Sequence, residues 1–330
     1  MNIRVLSRED VRRAVTMAEA IDIVQEGFVQ LSAGQAIVPV RAAIEVKKHE
    51  GVMLYMPAYL SVSDALGMKI VSVFPRNIER GRATVNALVV VNDAQTGEPR
   101  ALMDGAYLTA LRTGAASGVA TRWLARRDAA VAAVFGAGVQ GRTQLEAVCT
   151  VRNIHRVWVY DVNSQAAEQY AEEMRARGGG IPTDIRVAQL PAEAAREADI
   201  ICTATTTRTP VVPDDALKPG VHINGIGSFT PDMQEIAPAT VRRARVVVDS
   251  REAAWAGAGD LIQAKRDGVF SEQDVYAEIG EIAAKRKPGR EDEQQVTFFK
   301  SVGIAVQDVS VARHVLQKAE ADGLGVTVAL

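Results

Sequence analysis

Residues 129–141 read AAVAAVFGAGVQG, and the fold turns on this run. Ala129–Phe135 is small and apolar enough for a buried strand, it breaks into Gly136, Gly138 and Gly141, and helical spacing begins at Arg142. A strand, a G-x-G-x-x-G turn and a helix form the phosphate-binding start of a dinucleotide fold. In that reading Gly136 permits the tight turn, Gly138 lets backbone amides approach a pyrophosphate, and Gly141 allows helix and strand to pack closely. The helix N-terminus, with Val139 and Gln140 at its start, faces the phosphates. A glycine turn of no function is the competing explanation, and the next strand argues against it. RVWVYD ends in Asp161, 20 residues beyond Gly141, where a carboxylate accepts from ribose hydroxyls and repels a 2′-phosphate. Asn163 supplies no arginine for such a phosphate, so NAD is expected, with NADP as the alternative.

Strand and helix signals alternate on both sides of Asp161. AAVAAVF, RVWVYD, DIRVAQL, DIICTAT, VHINGIG and ARVVVDS read as six strands with helical or irregular crossovers. That alternation predicts an α/β fold with a doubly wound parallel sheet of Rossmann type. In such a sheet the first strands hold the adenosine half of the cofactor and the later ones the nicotinamide half. Thr203, Ala204 and Thr205, and Gly227 and Ser228, leave the ends of the fourth and fifth strands and are expected at the nicotinamide. Thr113 is added to this cofactor-binding set. Asp232 and Glu235 lie past Pro231 and are expected to open the next helix, where acids suit the dipole.

The flanking sequence has another texture. SREDVRRAVTMAEAIDIVQEGFVQLSAG begins at a capping Ser7 and keeps helical spacing to Gly34. Strand-like runs follow: VPVRAAIEV, GVMLYMPAYL, LGMKIVSVFP, and ATVNALVVVNDAQTGEPRALMDG with a hairpin break at Asp93–Gly97. YLTALRTGAASGVATRWLA is a helix so rich in small residues that it must pack closely. After Ser250 the chain turns helical and charged, and Val302–Glu320 is an amphipathic helix. The expected organisation is residues 119–304 as the NAD(P)-binding domain, inserted into an α+β substrate domain of residues 1–118 plus 305–330.

Composition narrows the function. A chain of 330 residues is long enough for two domains, and 48% hydrophobic with 24% charged residues is ordinary for a globular protein. A net charge of −2 gives no reason to expect nucleic acid or an anionic membrane as partner. No window reaches the apolar length of a membrane helix, the N-terminus has no signal-peptide core, and a cytoplasmic location is expected. Cys149 and Cys202 sit in apolar runs without metal spacing and read as buried free thiols. His49, His155, His222 and His314 are scattered, so no metal is expected.

Lys69, a lone charge in GMKIVSVFP, fits an exposed lysine guarding a sheet edge or a substrate ligand. Arg41 carries the same ambiguity. Arg112 sits among small residues, where a long cation has room to reach a cleft, and Arg76 reads as a loop residue. Three cations among apolar elements suit a carboxylate.

Taken together, MPAYL, LGMKIVSVFPRN, TGEPRALMDGAYLTALRTGAAS, FGAGVQGRTQLEAV, IGSFTPDMQEI and FKSVGIAVQD resemble the ornithine cyclodeaminase/mu-crystallin family over nearly the whole chain. The resemblance implies a Rossmann domain inserted into a substrate domain that dimerises through its sheet, giving a homodimer. It implies a small 2-imino or 2-amino acid as substrate. It also implies carboxylate contacts from Arg41, Lys69 and Arg112, with Lys69 and Arg112 catalytic and Lys69 a proton donor. Two departures bear on the substrate. Ornithine cyclodeaminases carry an aspartate where this chain has Phe229 and a glutamate where it has Leu54. Without those anions a diamino acid's second ammonium lacks a partner, whereas a planar cyclic imine fits against Phe229. Imine reduction, such as Δ1-pyrroline-2-carboxylate to L-proline, is therefore the expected reaction. Ornithine cyclodeamination with catalytic NAD, an alanine-dehydrogenase-like reaction and a non-catalytic binding protein are the alternatives.

Overall fold

The computed structural model describes residues 1–330 as two compact units, Met1–Arg112 with Ile304–Leu330, and Thr113–Gly303. These divisions compare with the expected 118/119 and 304/305.

The first unit opens with β1 (Asn2–Leu6), α1 (Arg8–Ala14) and α2 (Met17–Ser32). The single helix expected from Ser7 to Gly34 is thus two, because Thr16 adopts an extended backbone and starts a second capping box with Glu19. Strands β2 (Ala36–Ile37), β3 (Ala42–Val46), β4 (Gly51–Leu60), β5 (Ala65–Val73), β6 (Val85–Asn92) and β7 (Pro99–Asp104) follow, and α3 (Gly105–Leu124) carries Arg112 at the end of the unit.

The second unit alternates as the sequence predicts: β8 (Val131–Phe135), α4 (Val139–Val151), β9 (Arg156–Tyr160), α5 (Ser164–Arg177), β10 (Ile185–Val187), α6 (Pro191–Glu197), β11 (Ile200–Thr203) and β12 (His222–Gly225). Then come α7 (Pro238–Arg243), β13 (Arg245–Val248), α8 (Arg251–Gly257), α9 (Gly259–Arg266), β14 (Ala277–Glu278), α10 (Ile279–Ala283) and β15 (Thr297–Lys300). The sheet order is β10-β9-β8-β11-β12-β15-β13-β14, and every pairing is parallel. The sheet therefore has eight strands rather than the expected six. TFFK, which had no strand assignment, is β15, and it inserts between β12 and β13. Its four residues are all buried, as a central parallel strand covered on both faces requires.

The chain then returns to the first unit with α11 (Ala305–Asp322) and β16 (Val326–Ala329). Gly303 has φ +77°, so the helix starts three residues later than the expected Val302. Strand order here is β16-β1-β7-β6-β5-β4-β2, with β3 also on β4. The inner face of this sheet buries Met56, Lys69, Val89 and Met103, which lie directly opposite one another on β4 to β7. No helix in either unit is long and apolar enough to cross a membrane.

Candidate active site

In the second unit the glycines behave as the turn demands. Gly136 has φ +103°, and a side-chain carbon there would lie 2.6 Å from the Ala204 carbonyl oxygen. A carbon on Gly141 would collide with the Gly136 carbonyl oxygen. Gly138 caps α4 and would meet nothing within 4 Å, so the backbone stays open where a pyrophosphate would approach. Val139 and Gln140 form the exposed and half-exposed first residues of that helix. Asp161 accepts from the Ala137 amide at 2.8 Å and from the Asn163 amide at 2.9 Å, which fixes the acid beside the turn. Thr113 is buried next to Gly114, whose missing side chain lets α3 meet the Thr143 backbone of α4. The glycine turn, the start of α4 and Asp161 are thus brought together.

The loops leaving β11 and β12 hold Thr203, Ala204 and Thr205, and Gly227, Ser228 and Phe229. Glu235 ties them together. It accepts from the Thr203 hydroxyl (2.9 Å), the Thr205 amide and hydroxyl (2.7 and 2.8 Å), the Gly227 amide (2.7 Å) and the Ser228 amide (3.2 Å). This corrects the expectation for Glu235: it is fully buried and opens no helix, since α7 starts at Pro238. Asp232 is exposed and bonds Thr230 and Arg208, likewise outside any helix. Phe229 is half-buried, its amide donating to the Gly227 carbonyl.

The first unit supplies a different arrangement. Lys69 guards no edge: β5 is an inner strand, and the residue is only 2% exposed. Its Nζ lies 3.0 and 2.9 Å from the two carboxylate oxygens of Asp308 on α11. Arg112 Nε donates to Asp308 Oδ1 at 2.6 Å, and Arg112 Nη1 donates to the Gln307 side-chain oxygen. Two cations thus share one carboxylate, which leaves the cluster with a surplus positive charge. Burial, reinforced by the Arg112 and Arg41 guanidinium groups and opposed by Asp308, pulls the Lys69 ammonium down to about 8. Arg41 precedes Ala42, the first residue of β3, which stands opposite Tyr55, so it lies at the head of the Met56–Lys69 row. Leu54 sits two residues from Met56 on the same face, where a glutamate would add a second anion.

Asp308 and Gln307 were not among the expected site residues. The signal was a carboxylate on the apolar side of the last helix, in SVGIAVQD. His222 and Cys202 belong to the core, and Cys149 is half-buried against it. Burial, with Arg290 nearby, drives His222 down to about 3, and burial pushes the thiols of Cys149 and Cys202 up to about 12. His222 is therefore a neutral hydrogen-bonding residue held by Thr297 and Asn224, and neither cysteine offers a thiolate.

A parallel sheet with this turn, beside a second sheet with buried cations, defines the class as a dinucleotide-binding α/β protein. The chain belongs to the ornithine cyclodeaminase/mu-crystallin family, whose model matches residues 1–323. It is 39% identical to a Δ1-pyrroline-2-carboxylate reductase from Bacillus cereus over 322 residues, 97% of this chain and 98% of that one. Among solved structures it resembles the Thermococcus litoralis Δ1-pyrroline-2-carboxylate reductase in complex with NADH and L-proline, at TM-score 0.96 and 44% identity, covering 99% of this chain and 100% of that one. An archaeal alanine dehydrogenase dimer with bound NAD matches at TM-score 0.93 and 38% identity, covering 100% of both chains.

Proposed function

We propose that this protein reduces a small cyclic 2-imino acid with a nicotinamide cofactor, with Δ1-pyrroline-2-carboxylate going to L-proline as the leading case. The observation that carries this reading is the buried Lys69–Arg112–Asp308 cluster, whose surplus positive charge a substrate carboxylate would neutralise. The pyrroline reductases at 39% and 44% identity support the substrate class.

NADH, when bound, supplies the hydride that the imine carbon accepts. Gly136, Gly138 and Gly141 would take its pyrophosphate, Asp161 its adenosine ribose, and the loops that carry Thr205 and Phe229 its nicotinamide end, with Thr203 and Ser228 fully buried behind them. Arg112 and Arg41 would hold the substrate carboxylate. Lys69 would hold the proton that the ring nitrogen takes as the C=N bond becomes CH–NH. An ammonium lowered to about 8 is mostly charged at neutral pH yet gives up its proton readily. Hydride plus one proton would convert imine to amine, the hydride's two electrons coming from oxidation of NADH to NAD.

Neither Leu54 nor Phe229 offers the anion that a diamino acid would need, which places ornithine cyclodeamination second. Alanine dehydrogenation is kept as a further reading because a relative of that activity is 38% identical.

The test is oxidation of NADH and NADPH against Δ1-pyrroline-2-carboxylate, its six-membered homologue, pyruvate with ammonia, and ornithine with NAD. Fast NADH oxidation with a cyclic imine and no ammonia is expected. Ammonia release from ornithine without net NADH, or NADH oxidation that strictly needs ammonia, would overturn the proposal.

The outer sheet face of the first unit supports a homodimer. Ile44, Met53, Tyr55, Ile70 and Leu88 share that face, and Ile44 and Leu88 are 54% and 46% exposed in the single chain. Sedimentation should give twice the chain mass, and an Ile44→Asp, Leu88→Asp pair should shift it toward monomer.

A further inference from the structure

Behind the two loops of the second unit lies a charge cluster that the proposed chemistry leaves unused. Asp260 on α9, Lys300 at the end of β15, Ser228 and Glu235 are all inaccessible to solvent. Lys300 Nζ donates to Ser228 Oγ at 2.8 Å and lies 3.0 Å from Asp260 Oδ2. Ser228 Oγ donates in turn to Asp260 Oδ2 at 2.5 Å. Asp260 Oδ1 accepts from the backbone amides of Glu235 (2.6 Å) and Ile236 (2.9 Å). Glu235 then accepts five bonds from the loops that leave β11 and β12.

Each member is therefore held by the next, and the chain ends on backbone amides. Three backbone amides and two hydroxyls donate to Glu235, bonds that favour its carboxylate form, although burial shifts its pKa upward. Burial and the Asp260 charge work against that state, and Lys300 favours it. Gly227 shows how tightly the loops are drawn together, because a side-chain carbon there would run into the Thr205 backbone and the Glu235 carboxylate.

We infer that Glu235, Asp260 and Lys300 are positioning residues: a buried relay that fixes the backbone of the loops after β11 and β12 and so sets the affinity for the nicotinamide end of the cofactor. This rests on the reading of those loops as the nicotinamide side of the dinucleotide site. The relay touches neither cofactor nor substrate itself; it acts through Thr205, Gly227 and Ser228. A small displacement of such loops costs rate out of proportion to the movement.

Glu235→Gln tests it by placing an NH2 donor against donors at unchanged size. Binding of NADH and of ADP-ribose, which lacks the nicotinamide, is measured by calorimetry alongside kcat and the melting temperature. NADH affinity and kcat are expected to fall on the order of 10-fold or more, with ADP-ribose affinity within roughly two-fold of the parent. Asp260→Asn, with a milder perturbation, should give the same split and carries the test if Glu235→Gln does not fold. Equal losses for NADH and ADP-ribose, or unchanged NADH binding in a folded variant, would overturn the inference while leaving the dinucleotide reading intact. Failure of the unsubstituted protein to bind either probe would overturn both.

Discussion

The molecule holds two buried charge clusters of opposite design. In the first unit, Lys69 and Arg112 share the single carboxylate of Asp308, so positive charge exceeds negative. In the second unit, Lys300 pairs with Asp260, and the surplus carboxylate, Glu235, is saturated by hydroxyls and backbone amides. Burying an uncompensated charge is expensive, so each surplus needs an answer. The negative one is answered from within the fold. The positive one suits an anion from outside. In the proposed reading, the cluster closed on itself fixes backbone, and the cluster left short of a counter-ion would bind one.

The sharpest way to break this contrast is to delete the lysine from each. Lys69→Met is expected to lower kcat/KM for the imine by roughly 10³-fold, through loss of the acid and of a carboxylate contact. The same change should leave the melting temperature equal or higher. The sign follows from the depressed value: folding disfavours the charged form, so the ammonium costs roughly 3 kcal/mol at neutral pH. That cost fades as pH rises from about 8 toward the ordinary lysine value. Lys300→Met should do the opposite to stability, because it leaves the buried Asp260 carboxylate without its cation, a loss of about 3–5 kcal/mol. Paired melts and steady-state kinetics decide it, and a Lys69→Met protein with parental turnover would sink the acid role.

Asp308→Asn removes the only anion from the binding cluster and so lets the Lys69 ammonium fall further. A drop of roughly 10- to 100-fold in kcat/KM is expected, with the alkaline limb of the profile moved to lower pH. A limb that stays in place would show that Asp308 does not govern Lys69.

In the unsubstituted protein kcat/KM should fall above about pH 8 as Lys69 loses its proton. The limb in kcat should lie at higher pH, because a bound carboxylate stabilises the ammonium. Coincident limbs would contradict carboxylate binding beside Lys69. The smallest effect is expected from Phe229→Asp with Leu54→Glu, which restores two anions. Imine reduction should weaken a few-fold, and slow ammonia release from ornithine should appear in a coupled assay.

The dinucleotide turn was legible because its parts are local: strand, three glycines, helix and Asp161 lie within one short segment. Lys69 and Arg112 stood out as charges in apolar surroundings. Their partner did not, since Asp308 is 239 residues from Lys69 and reads alone as an ordinary helix acid. Glu235 was misplaced for a related reason. A carboxylate after Pro231 has the local look of a helix start, and only the fold brings Thr203 and Thr205 to it. TFFK was too short to distinguish from a buried helical turn. β1 and β16, which pair antiparallel from opposite ends of the chain, gave no local turn to betray them.

β15 has a consequence for how the protein is made. β12 and β13 do not pair with each other; each pairs with Thr297–Lys300, which leaves the ribosome after both. In a nascent chain stopped short of Thr297 nothing joins the five strands from β10 to β12 to the pair β13 and β14, and Ser228 still lacks Lys300. Of the eight strands of this sheet, β15 is the last in the chain, and the sheet is complete only once it has been made.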